Sequence, residues 1–350
     1  MSKNNYDLLI FIGRFSPFHL GHKNVVLKAL EQTTQLLILL GSSFQARNIK
    51  NPFTFQERYD MIMGSLDPQD ISKITIRPLR DHLYNENTWI NEVQNHVKPF
   101  VDKLKSFNTP HIKIGIIGHE KDASSYYLKL FPQWDFIDVN MEYNYKIDSS
   151  KIREFWLTEQ SPNYTSAVLP DYVQEFIYNK FPKTEFGRLI REFNHIQNYK
   201  KQWDNTPYPV QFNTVDNIVI QSGHILLVTR KAAPGEGLYA LPGGFVNQHE
   251  TIENAAIREL LEETKIKASE FMIKGGIKLR RVYDAPNRSL RGRTITHAFL
   301  IELPSGKLNK CKGSDDAASA RWVSFAELEK MEDQFFEDHY YIIQNMLGNI

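Results

Sequence analysis

The sequence predicts two α/β domains in one chain, a doubly wound parallel sheet followed by a domain with a mixed sheet. The first half alternates nearly continuous apolar runs with helical patterns, which is typical of strands covered on both faces. The second half opens with two β-rich runs around Ser222 and Gly223, which predict a hairpin. At 350 residues the chain is also too long for one typical hydrophobic core.

The first domain, residues 1–183, is predicted from its βαβ alternation. Its strands are the runs LLIFIG, QLLILLGS, KITIRPL, IKIGIIG and DFIDVN. Its main helices are GHKNVVLKALEQ, TFQERYDMIMGSL and TWINEVQNHVKPFVDKL, and LPDYVQEFIYNKF is expected to close the domain. In such a sheet, ligands bind outside the carboxyl ends of the strands.

A connecting helix and a second domain are predicted after Pro182. Residues 184–204 contain the charged helical segment TEFGRLIREFNHIQNYKKQW, and the two prolines of DNTPYPV mark the entry to the second domain, residues 205–350. The segment VDNIVIQSGHILLVTRK forms the predicted hairpin. One long helix, the strands THAFLIEL and ARWVSF, and a C-terminal helix complete the domain.

Composition excludes several classes of protein. Apolar residues make up 41% and charged residues 24%, and the net charge of +1 produces no long-range field towards nucleic acid or membrane. No apolar stretch approaches the roughly 18 residues of a membrane span. The single cysteine, Cys311, excludes an internal disulfide and suits a reducing cytosol. We therefore expect a cytoplasmic protein with no nucleic-acid or membrane partner, and the sequence leaves open whether it forms a homo-oligomer.

An anion-binding pattern, GRFSPFHLGH, lies at residues 13–22, where the first strand ends and the first helix begins. Gly13 lets the backbone approach a ligand closely. The free N–H groups and the dipole of the helix start favour a phosphate. His19 and His22 are three residues apart, so both can face one phosphate and donate hydrogen bonds in its transition state.

A second phosphate pattern, IDSSKIREF, follows the last predicted strand of the domain at residues 147–155. Ser150 is a good N-cap, and Arg153 lies one turn further on. Hydroxyl groups, free N–H groups and a guanidinium together can hold a phosphate. Alone, the pattern is also typical of an ordinary capped helix. Its presence in the same sheet as the histidine pattern strengthens the prediction of a second phosphate site.

These two patterns resemble the signatures of the nucleotidylyltransferase superfamily, H-x-G-H and a late serine/threonine–arginine motif. More narrowly, GRFSPFHLGH is similar to the GRFQPFHxGH of nicotinamide-mononucleotide (NMN) adenylyltransferases, with Ser16 in place of glutamine and Asp148 where a serine is common. The resemblance implies a Rossmann-like fold with His22 as the main transition-state stabiliser. It also implies the residues that hold ATP, namely Gly13, Arg14, His19, His22, Ser149, Ser150 and Arg153.

Three further segments extend this resemblance. Arg47, upstream of KNPFTFQERYDMI, is expected to reach phosphate, and GHEKDASSYYLKLFPQW places Gly118 and Asp122 near the adenosine. In RPLRDHLYNENTWI, Asn87 and Trp89 resemble residues that bind nicotinamide, because an indole can stack on a cationic ring. A core position for Trp89 is the structural alternative. The implied reaction joins NMN and ATP to form NAD and pyrophosphate, with Mg²⁺ on the triphosphate.

The second domain carries GFVNQHETIENAAIRELLEETKI at residues 244–266. Glu259, Glu262 and Glu263 follow an i, i+3, i+4 spacing, so one helix face presents three carboxylates, which suit Mg²⁺ or Mn²⁺. The segment resembles the Nudix box, G-x5-E-x7-R-E-U-x-E-E-x-G-U, in which Arg258 can pair with a glutamate. Lys265 replaces the glycine that usually ends the helix, so we expect altered helix termination rather than lost catalysis.

The substrate of the second domain is inferred from neighbouring segments. RKAAPGEGLYALPGGFV, RSLRGRTITHAF and SDDAASARW resemble the Nudix version fused to these adenylyltransferases, which hydrolyses ADP-ribose to AMP and ribose 5-phosphate. Arg288, Arg291 and Arg293 are expected to bind the diphosphate or the terminal ribose phosphate, and a solvated basic loop is the alternative. The spacing leaves the general base open between the box glutamates and another carboxylate.

The combined resemblance implies a bifunctional NMN adenylyltransferase/Nudix hydrolase that binds NMN, ATP, NAD and ADP-ribose. One alternative is a nucleotidyltransferase with another acceptor, such as a cytidylyltransferase, joined to a Nudix domain of different substrate. The other is a regulator whose Nudix domain binds ADP-ribose without cutting it. The intact glutamates argue against the regulator, as does the lack of a recognisable helix-turn-helix and basic stripe in the sequence.

Overall fold

The chain divides into two units, Met1–Ile190 and Arg191–Ile350. The structure is a computed structural model that describes residues 5–107, 111–120, 123–139, 147–158 and 162–348. In this described part of the chain, no helix combines the length and the apolar character that crossing a lipid bilayer would require.

A parallel sheet forms the centre of the first unit. Within the described residues, its five strands follow the order β3-β2-β1-β4-β5. Their bounds are β1 (Leu8–Gly13), β2 (Leu36–Leu40), β3 (Ile74–Pro78), β4 (Ile114–Gly118) and β5 (Asp135–Asp138). The strand order reverses at β1, where a doubly wound sheet has its ligand-binding crevice. The predicted doubly wound parallel sheet is confirmed.

The continuous apolar runs account for the position of β1 and β2 in this sheet. Both strands are buried along almost their whole length, because helices cover the two faces of the sheet. The helices are α1 (Leu20–Leu30), α2 (Phe55–Met63), α3 (Pro68–Ile71), α4 (Glu86–Ser106), α5 (Ser149–Leu157), α6 (Pro162–Val168) and α7 (Asp171–Glu175). A 3₁₀ segment covers Ala123–Lys129, a π-helical turn covers Phe176–Lys180, and α8 covers Lys183–Lys201.

The start of α5 differs from the sequence prediction. The helix begins at Ser149, and the Asp148 carboxylate accepts a hydrogen bond from the Ser150 N–H at 2.7 Å. The predicted N-cap at Ser150 is therefore wrong. Aspartate is as good an N-cap as serine, and its position sets the helix start two residues earlier. As a result, the Ser150 hydroxyl takes part in a contact with Arg153 instead.

The second unit contains a mixed sheet with the order β10-β11-β6-β7-β12 among the described residues, and β8 and β9 pair with β7 and β6. The strands are β6 (Gln211–Gln221), β7 (His224–Arg230), β8 (Tyr239–Ala240), β9 (Gly243–Phe245), β10 (Ile277–Tyr283), β11 (Arg293–Glu302) and β12 (Ala317–Ser324). Only β6 and β11 pair in parallel in this part of the chain, which confirms the mixed sheet. The hairpin turns at Ser222 and Gly223, whose φ angles of 48° and 73° are typical of a tight two-residue turn.

Helix α9 (Ile252–Thr264) packs one apolar face on this sheet. Its buried residues Ala256, Ile257 and Leu260 join a core cluster with Val215 of β6 and Phe299 of β11. Another face carries the glutamates of the Nudix-like segment, Glu259, Glu262 and Glu263. The remaining helices are α10 (Glu270–Gly276), α11 (Phe325–Leu328) and α12 (His339–Leu347), with a 3₁₀ turn at Glu332–Gln334.

The C-terminal end of α9 retains the left-handed residue that a glycine would usually supply. Lys265 has φ 44° and ψ 32°, and its N–H donates to the Leu261 carbonyl at 3.0 Å. The expected change in helix termination is therefore wrong. Ile266, which follows, is buried in the core cluster and fixes the direction of the chain, so the lysine adopts the left-handed conformation itself.

Replacing Lys265 with glycine is expected to raise the free energy of unfolding by about 0.5–1 kcal/mol. Glycine removes a left-handed penalty of about 1–2 kcal/mol but adds flexibility to the unfolded chain. Urea unfolding of the variant measures the change. Lys267→Gly is the control, because this exposed neighbour has no positive φ to relieve and should lose stability. A loss of stability in Lys265→Gly would contradict the prediction.

Candidate functional site

A cavity of about 290 Å³ lies at the carboxyl end of β1. Both phosphate patterns contribute to its wall, one from the β1–α1 junction and the other from the start of α5. The structure thus brings together the residues that the family resemblance assigns to ATP, namely Gly13, Arg14, His19, His22, Ser149, Ser150 and Arg153. The topology explains this, because the two segments follow strands whose carboxyl ends share one edge of the sheet.

The two histidines of this cavity hold one another through the start of α1. His19 Nδ1 accepts from the His22 N–H at 3.3 Å, and His22 Nδ1 accepts from the His19 N–H at 3.4 Å. Their rings stack with centroids 3.6 Å apart. Because each Nδ1 is an acceptor, the hydrogen of each neutral ring is on Nε2. Burial, and then the neighbouring His19, lower the pKa of His22 well below its usual value, so His22 is a neutral donor at physiological pH.

Arg153 joins the two motifs in the wall of the cavity. Its guanidinium donates to the Ser16 carbonyl at 2.6 Å and to the Ser150 hydroxyl at 3.2 Å. The residue is 7% exposed. Burial and the nearby Arg14 lower its pKa to about 10, which leaves the guanidinium charged at neutral pH. The cavity therefore has a fixed positive charge where an anion would lie.

Two polar residues in the cavity wall, Tyr127 and His119, were not singled out by the sequence. The Tyr127 hydroxyl donates to the Ile12 carbonyl at 3.1 Å, and burial raises its pKa to about 12. His119 Nδ1 lies 3.5 Å from Asp138 Oδ1. Both belong to the GHEKDASSYY segment, so the resemblance located the region but selected other residues of it. Of those selected residues, Gly118 ends β4, and Asp122 lies outside the described residues.

The residues predicted for nicotinamide lie in the first turn of α4. Asn87 is exposed. Trp89 is half-buried, with its ring centroid 6.1 Å from that of Tyr127 and 5.9 Å from that of Phe131. It packs on the core of the first unit, which was its structural alternative, and its contact with Tyr127 also connects it to the wall of the cavity. Its role towards nicotinamide stays a prediction.

Arg47 is already bound to a carboxylate. Its guanidinium donates to both oxygens of Glu57, at 2.6 and 2.8 Å, and to the Pro52 carbonyl at 2.8 Å. The same group lies over the Phe181 ring at 5.4 Å from the centroid. A phosphate would have to compete with Glu57 for this side chain.

In the second unit, Arg258 organises the acidic face of α9. It donates to both carboxylate oxygens of Glu250, at 3.0 and 2.7 Å, and to Glu259 and Glu262 at 2.8 and 2.9 Å. It also donates to the Phe245 carbonyl at 3.1 Å. The hydrogen bonds to the glutamates, of which the one to Glu250 has the largest effect, raise the pKa of Arg258. The hydrogen bond from Arg258 lowers the pKa of Glu250. The expected pairing of Arg258 with a glutamate is confirmed.

Glu263 and Glu259 pack against the glycine segment of β9. The Glu263 carboxylate accepts from the Gly243 N–H at 2.9 Å, and burial raises its pKa to about 8. Burial also raises the pKa of Glu259. A Cβ atom on Gly244 would lie 2.6 Å from Glu259 Oε1, so glycine at this position leaves room for the Glu259 carboxylate as it is placed here.

The three glutamates share a helix face but do not form a closed ligand cluster. Among the described residues, no group of three or more His, Cys, Asp and Glu side chains is close enough to hold a metal ion. Arg258 bridges Glu259 and Glu262, whereas Glu263 reaches Gly243. The donor set still suits a divalent cation, because burial destabilises the charged form of two of these carboxylates and all the donors are hard oxygens.

The three predicted arginines occupy different environments. Arg288 is buried and donates to both oxygens of Asp338, at 2.9 and 2.8 Å, so it is not part of a solvated loop. Arg291 lies 3.9 Å from a Glu337 oxygen and over the Phe245 ring at 5.3 Å. Both line a cavity beside Glu263, whereas Arg293 pairs with Asp284. Of the three, Arg291 is the one placed with both cavity access and partial exposure.

Exchanging Arg288 and Arg291 for methionine should separate structure from binding. Arg288→Met removes the guanidinium and both of its hydrogen bonds from the buried Asp338 carboxylate, and we expect a loss of about 3–5 kcal/mol in unfolding free energy. Arg291→Met removes a looser pair, in which the Arg291 and Glu337 side chains lie 3.9 Å apart and are 17% and 7% exposed. We therefore expect a smaller stability loss of about 1 kcal/mol, and a rise of about tenfold in the KM for ADP-ribose, the substrate that the resemblance implies. Urea unfolding and steady-state kinetics measure the two effects. Equal stability losses in both variants would contradict this assignment.

Comparison with known families agrees with the two units. The Cytidylyltransferase-like family matches residues 10–155, and the NUDIX domain family matches residues 211–346. A nicotinamide/nicotinic acid mononucleotide adenylyltransferase of Acinetobacter baylyi is 40% identical over 134 residues, which cover 38% of this chain and 67% of that protein. An ADP-ribose pyrophosphatase of Methanocaldococcus jannaschii is 36% identical over 133 residues, 38% of this chain and 71% of that protein.

A solved structure matches both units together. It is a bifunctional NMN adenylyltransferase/ADP ribose pyrophosphatase of Francisella tularensis, in complex with AMP and a manganese ion. It is 36% identical, with a TM-score of 0.85, and the match covers 98% of each chain. The two family models match the two units in this order, the solved structure matches nearly the whole chain, and the chain therefore belongs to the family of bifunctional NMN adenylyltransferase/ADP-ribose pyrophosphatases.

Proposed function

We propose that the first unit joins NMN and ATP to form NAD and pyrophosphate. The observation that carries this proposal is that residues of both phosphate motifs, including His22 and Arg153, line one cavity. A phosphate oxygen of NMN attacks the α-phosphorus of ATP, and the bond to the β-phosphate oxygen breaks. The reaction needs positioning and charge stabilisation rather than a covalent enzyme intermediate.

The residues of the cavity have distinct tasks in this reaction. His22, held neutral by burial, donates its Nε2–H to the α-phosphate as negative charge grows on its oxygens. His19 fixes the ring of His22 through their reciprocal backbone contacts. Arg153 and Arg14 supply positive charge for the triphosphate, which enters with its own Mg²⁺. Asn87 and Trp89 are proposed to bind the nicotinamide end.

The second unit is proposed to hydrolyse ADP-ribose to AMP and ribose 5-phosphate, with water supplying the oxygen for the broken diphosphate bond. Glu259, Glu262 and Glu263 would hold Mg²⁺ or Mn²⁺. When bound, such a cation polarises a diphosphate and makes water more acidic. Arg258 orients Glu259 and Glu262, and the Gly243 N–H orients Glu263. Arg291 is proposed to bind the substrate's phosphate or ribose end.

Product analysis of the purified protein tests both proposals. With Mg²⁺, NMN and ATP should give NAD and pyrophosphate, and CTP in place of ATP should give at most a trace of product. In a separate reaction, ADP-ribose with Mg²⁺ or Mn²⁺ should give AMP and ribose 5-phosphate. Product from CTP but not from ATP would favour the cytidylyltransferase alternative. Tight binding of ADP-ribose without release of AMP would favour the regulatory alternative.

A further inference from the structure

Arg58 of α2 is a buried arginine that contacts two loops of the first site without lining its cavity. It is 2% exposed, and its side chain is among the largest fully buried in the described residues. The guanidinium donates to backbone or hydroxyl oxygens of two loops. The acceptors in these loops are the carbonyls of Arg14 (2.6 Å), Gly41 (2.7 Å) and Ser42 (3.3 Å), and the Ser43 hydroxyl (3.3 Å). The Nε–H of the same group also donates to the Thr54 carbonyl at the start of α2 (3.3 Å).

These acceptors lie at the carboxyl ends of neighbouring strands. Arg14 follows β1, and Gly41 to Ser43 follow β2. The loop after β3 is included, because Asp81 accepts from the Ser42 N–H at 2.9 Å and from the Ser42 hydroxyl at 2.8 Å. One guanidinium and one carboxylate thus tie together three strand ends at the edge where ligands bind.

Burying a cation at this position is unfavourable in free energy. Taking a guanidinium out of water is unfavourable unless its hydrogen bonds are well satisfied, and an apolar side chain would pack the same volume more cheaply. Burial lowers the pKa of Arg58 to about 10, so the charge is retained at neutral pH. Its multidentate donor geometry is what an apolar residue or a lysine cannot reproduce.

The contact with Arg14 links Arg58 to the nucleotide-phosphate site. Arg58 holds the Arg14 carbonyl, and Arg153 holds the Ser16 carbonyl at 2.6 Å. Phe15, between them, has a left-handed φ of 49°. The loop that carries Arg14 into the cavity is therefore held on both sides of the strained Phe15. The guanidinium of Arg153 lines the cavity, and the guanidinium of Arg58 does not.

We propose that Arg58 is a positioning residue for the nucleotide-phosphate site. Its guanidinium fixes the backbone of residues 14–16 and 41–43, so that the Arg14 side chain stays directed at the triphosphate of ATP. Arg58 does not touch the substrate. This inference rests on the proposed synthesis of NAD by the first unit, and it adds a residue that neither phosphate motif contains.

The Arg58→Lys variant tests the proposal, because it keeps the buried charge and loses the multidentate geometry. We expect the KM for ATP to rise by about tenfold or more while kcat changes by less than about threefold, since Arg14 binds the triphosphate in both the ground state and the transition state. The rate of ADP-ribose hydrolysis should stay at the wild-type level. An unchanged KM for ATP would overturn the proposal.

Two further variants separate positioning from general stability. Thr33, 1% exposed, donates to the Tyr6 and Gln35 carbonyls at the opposite end of the same strands, so Thr33→Val should lower the melting temperature without changing the KM for ATP. Ser43→Ala removes one acceptor of Arg58 and should raise that KM by about two- to threefold. If Thr33→Val raised the KM as much as Arg58→Lys at a similar loss of stability, the role of Arg58 would be structural only.

Hydrogen exchange provides a readout that does not depend on activity. Peptides covering residues 13–18 and 41–45 should exchange faster in Arg58→Lys, or in Ser43→Ala if the lysine variant does not fold, and should be unchanged in Thr33→Val. If the wild-type protein makes no NAD, the proposed function fails, yet this comparison still decides whether Arg58 fixes the two loops. The inference would be contradicted if both peptides exchanged at the wild-type rate in whichever of the two variants, Arg58→Lys or Ser43→Ala, is folded.

Discussion

The His22→Ala variant is expected to lose NAD synthesis by a factor of about 100–1000, the usual effect of removing one preorganised hydrogen-bond donor to a transition state. The neutral ring of His22 has its hydrogen on Nε2, because Nδ1 accepts from the His19 N–H. The methyl group of alanine cannot replace that donor. The initial rate of NAD formation at saturating NMN and ATP measures the effect.

A stability loss must be separated from this catalytic loss. His22 also forms part of the reciprocal cap of α1, so the variant should lose about 1 kcal/mol of unfolding free energy. The His111→Ala variant, at an exposed histidine of the same unit, is the matched control and should keep full activity. If folded His22→Ala retained more than about a tenth of the wild-type rate, His22 would not be the main stabiliser of the transition state.

The Glu263→Gln variant is expected to reduce ADP-ribose hydrolysis by about 100-fold or more, because the cation it helps to hold contributes several kcal/mol to the transition state. The substitution is nearly isosteric. Its amide oxygen can still accept from the Gly243 N–H, so the fold of the second unit should be preserved. The release of AMP at saturating Mg²⁺ measures the loss.

Cation binding provides a second measurement for this variant. Titration with Mn²⁺ followed by electron paramagnetic resonance should show weaker binding to Glu263→Gln than to the wild type. Glu270→Gln, which changes an exposed glutamate at the start of α10, should bind Mn²⁺ and hydrolyse ADP-ribose as the wild type does. Undiminished Mn²⁺ binding by Glu263→Gln would remove Glu263 from the proposed ligands.

Much of the fold could be predicted from the sequence because its signals are local. The apolar runs of β1 and β2 are continuous, and the parallel sheet buries both of their faces. The Ser222–Gly223 turn has the positive φ angles that its residues favour. Helix ends were less predictable. Asp148 and Ser150 are both good caps, and the buried Ile266 lets Lys265 take a conformation that its own preference opposes.

The grouping of the candidate site residues could be predicted where those residues lie within one motif. The residues assigned to ATP line one cavity, and Arg258 pairs with the glutamates of its own helix and with Glu250. Long-range partners could not be read from the sequence. Arg288 meets Asp338, and Arg58 meets Arg14, because the fold brings together residues far apart in the chain. For this reason, the sequence predicted one phosphate-binding role for Arg288, Arg291 and Arg293, although the fold places them in three different environments.

The central claim is that one chain carries two chemically independent sites. Both activities should be measured on His22→Ala and on Glu263→Gln, each taken from a single folded preparation. We predict that His22→Ala releases AMP from ADP-ribose at close to the wild-type rate while forming almost no NAD, and that Glu263→Gln shows the reverse pattern. If either substitution silenced both reactions in protein that still unfolds cooperatively, the two reactions would depend on a shared site and the claim would be wrong.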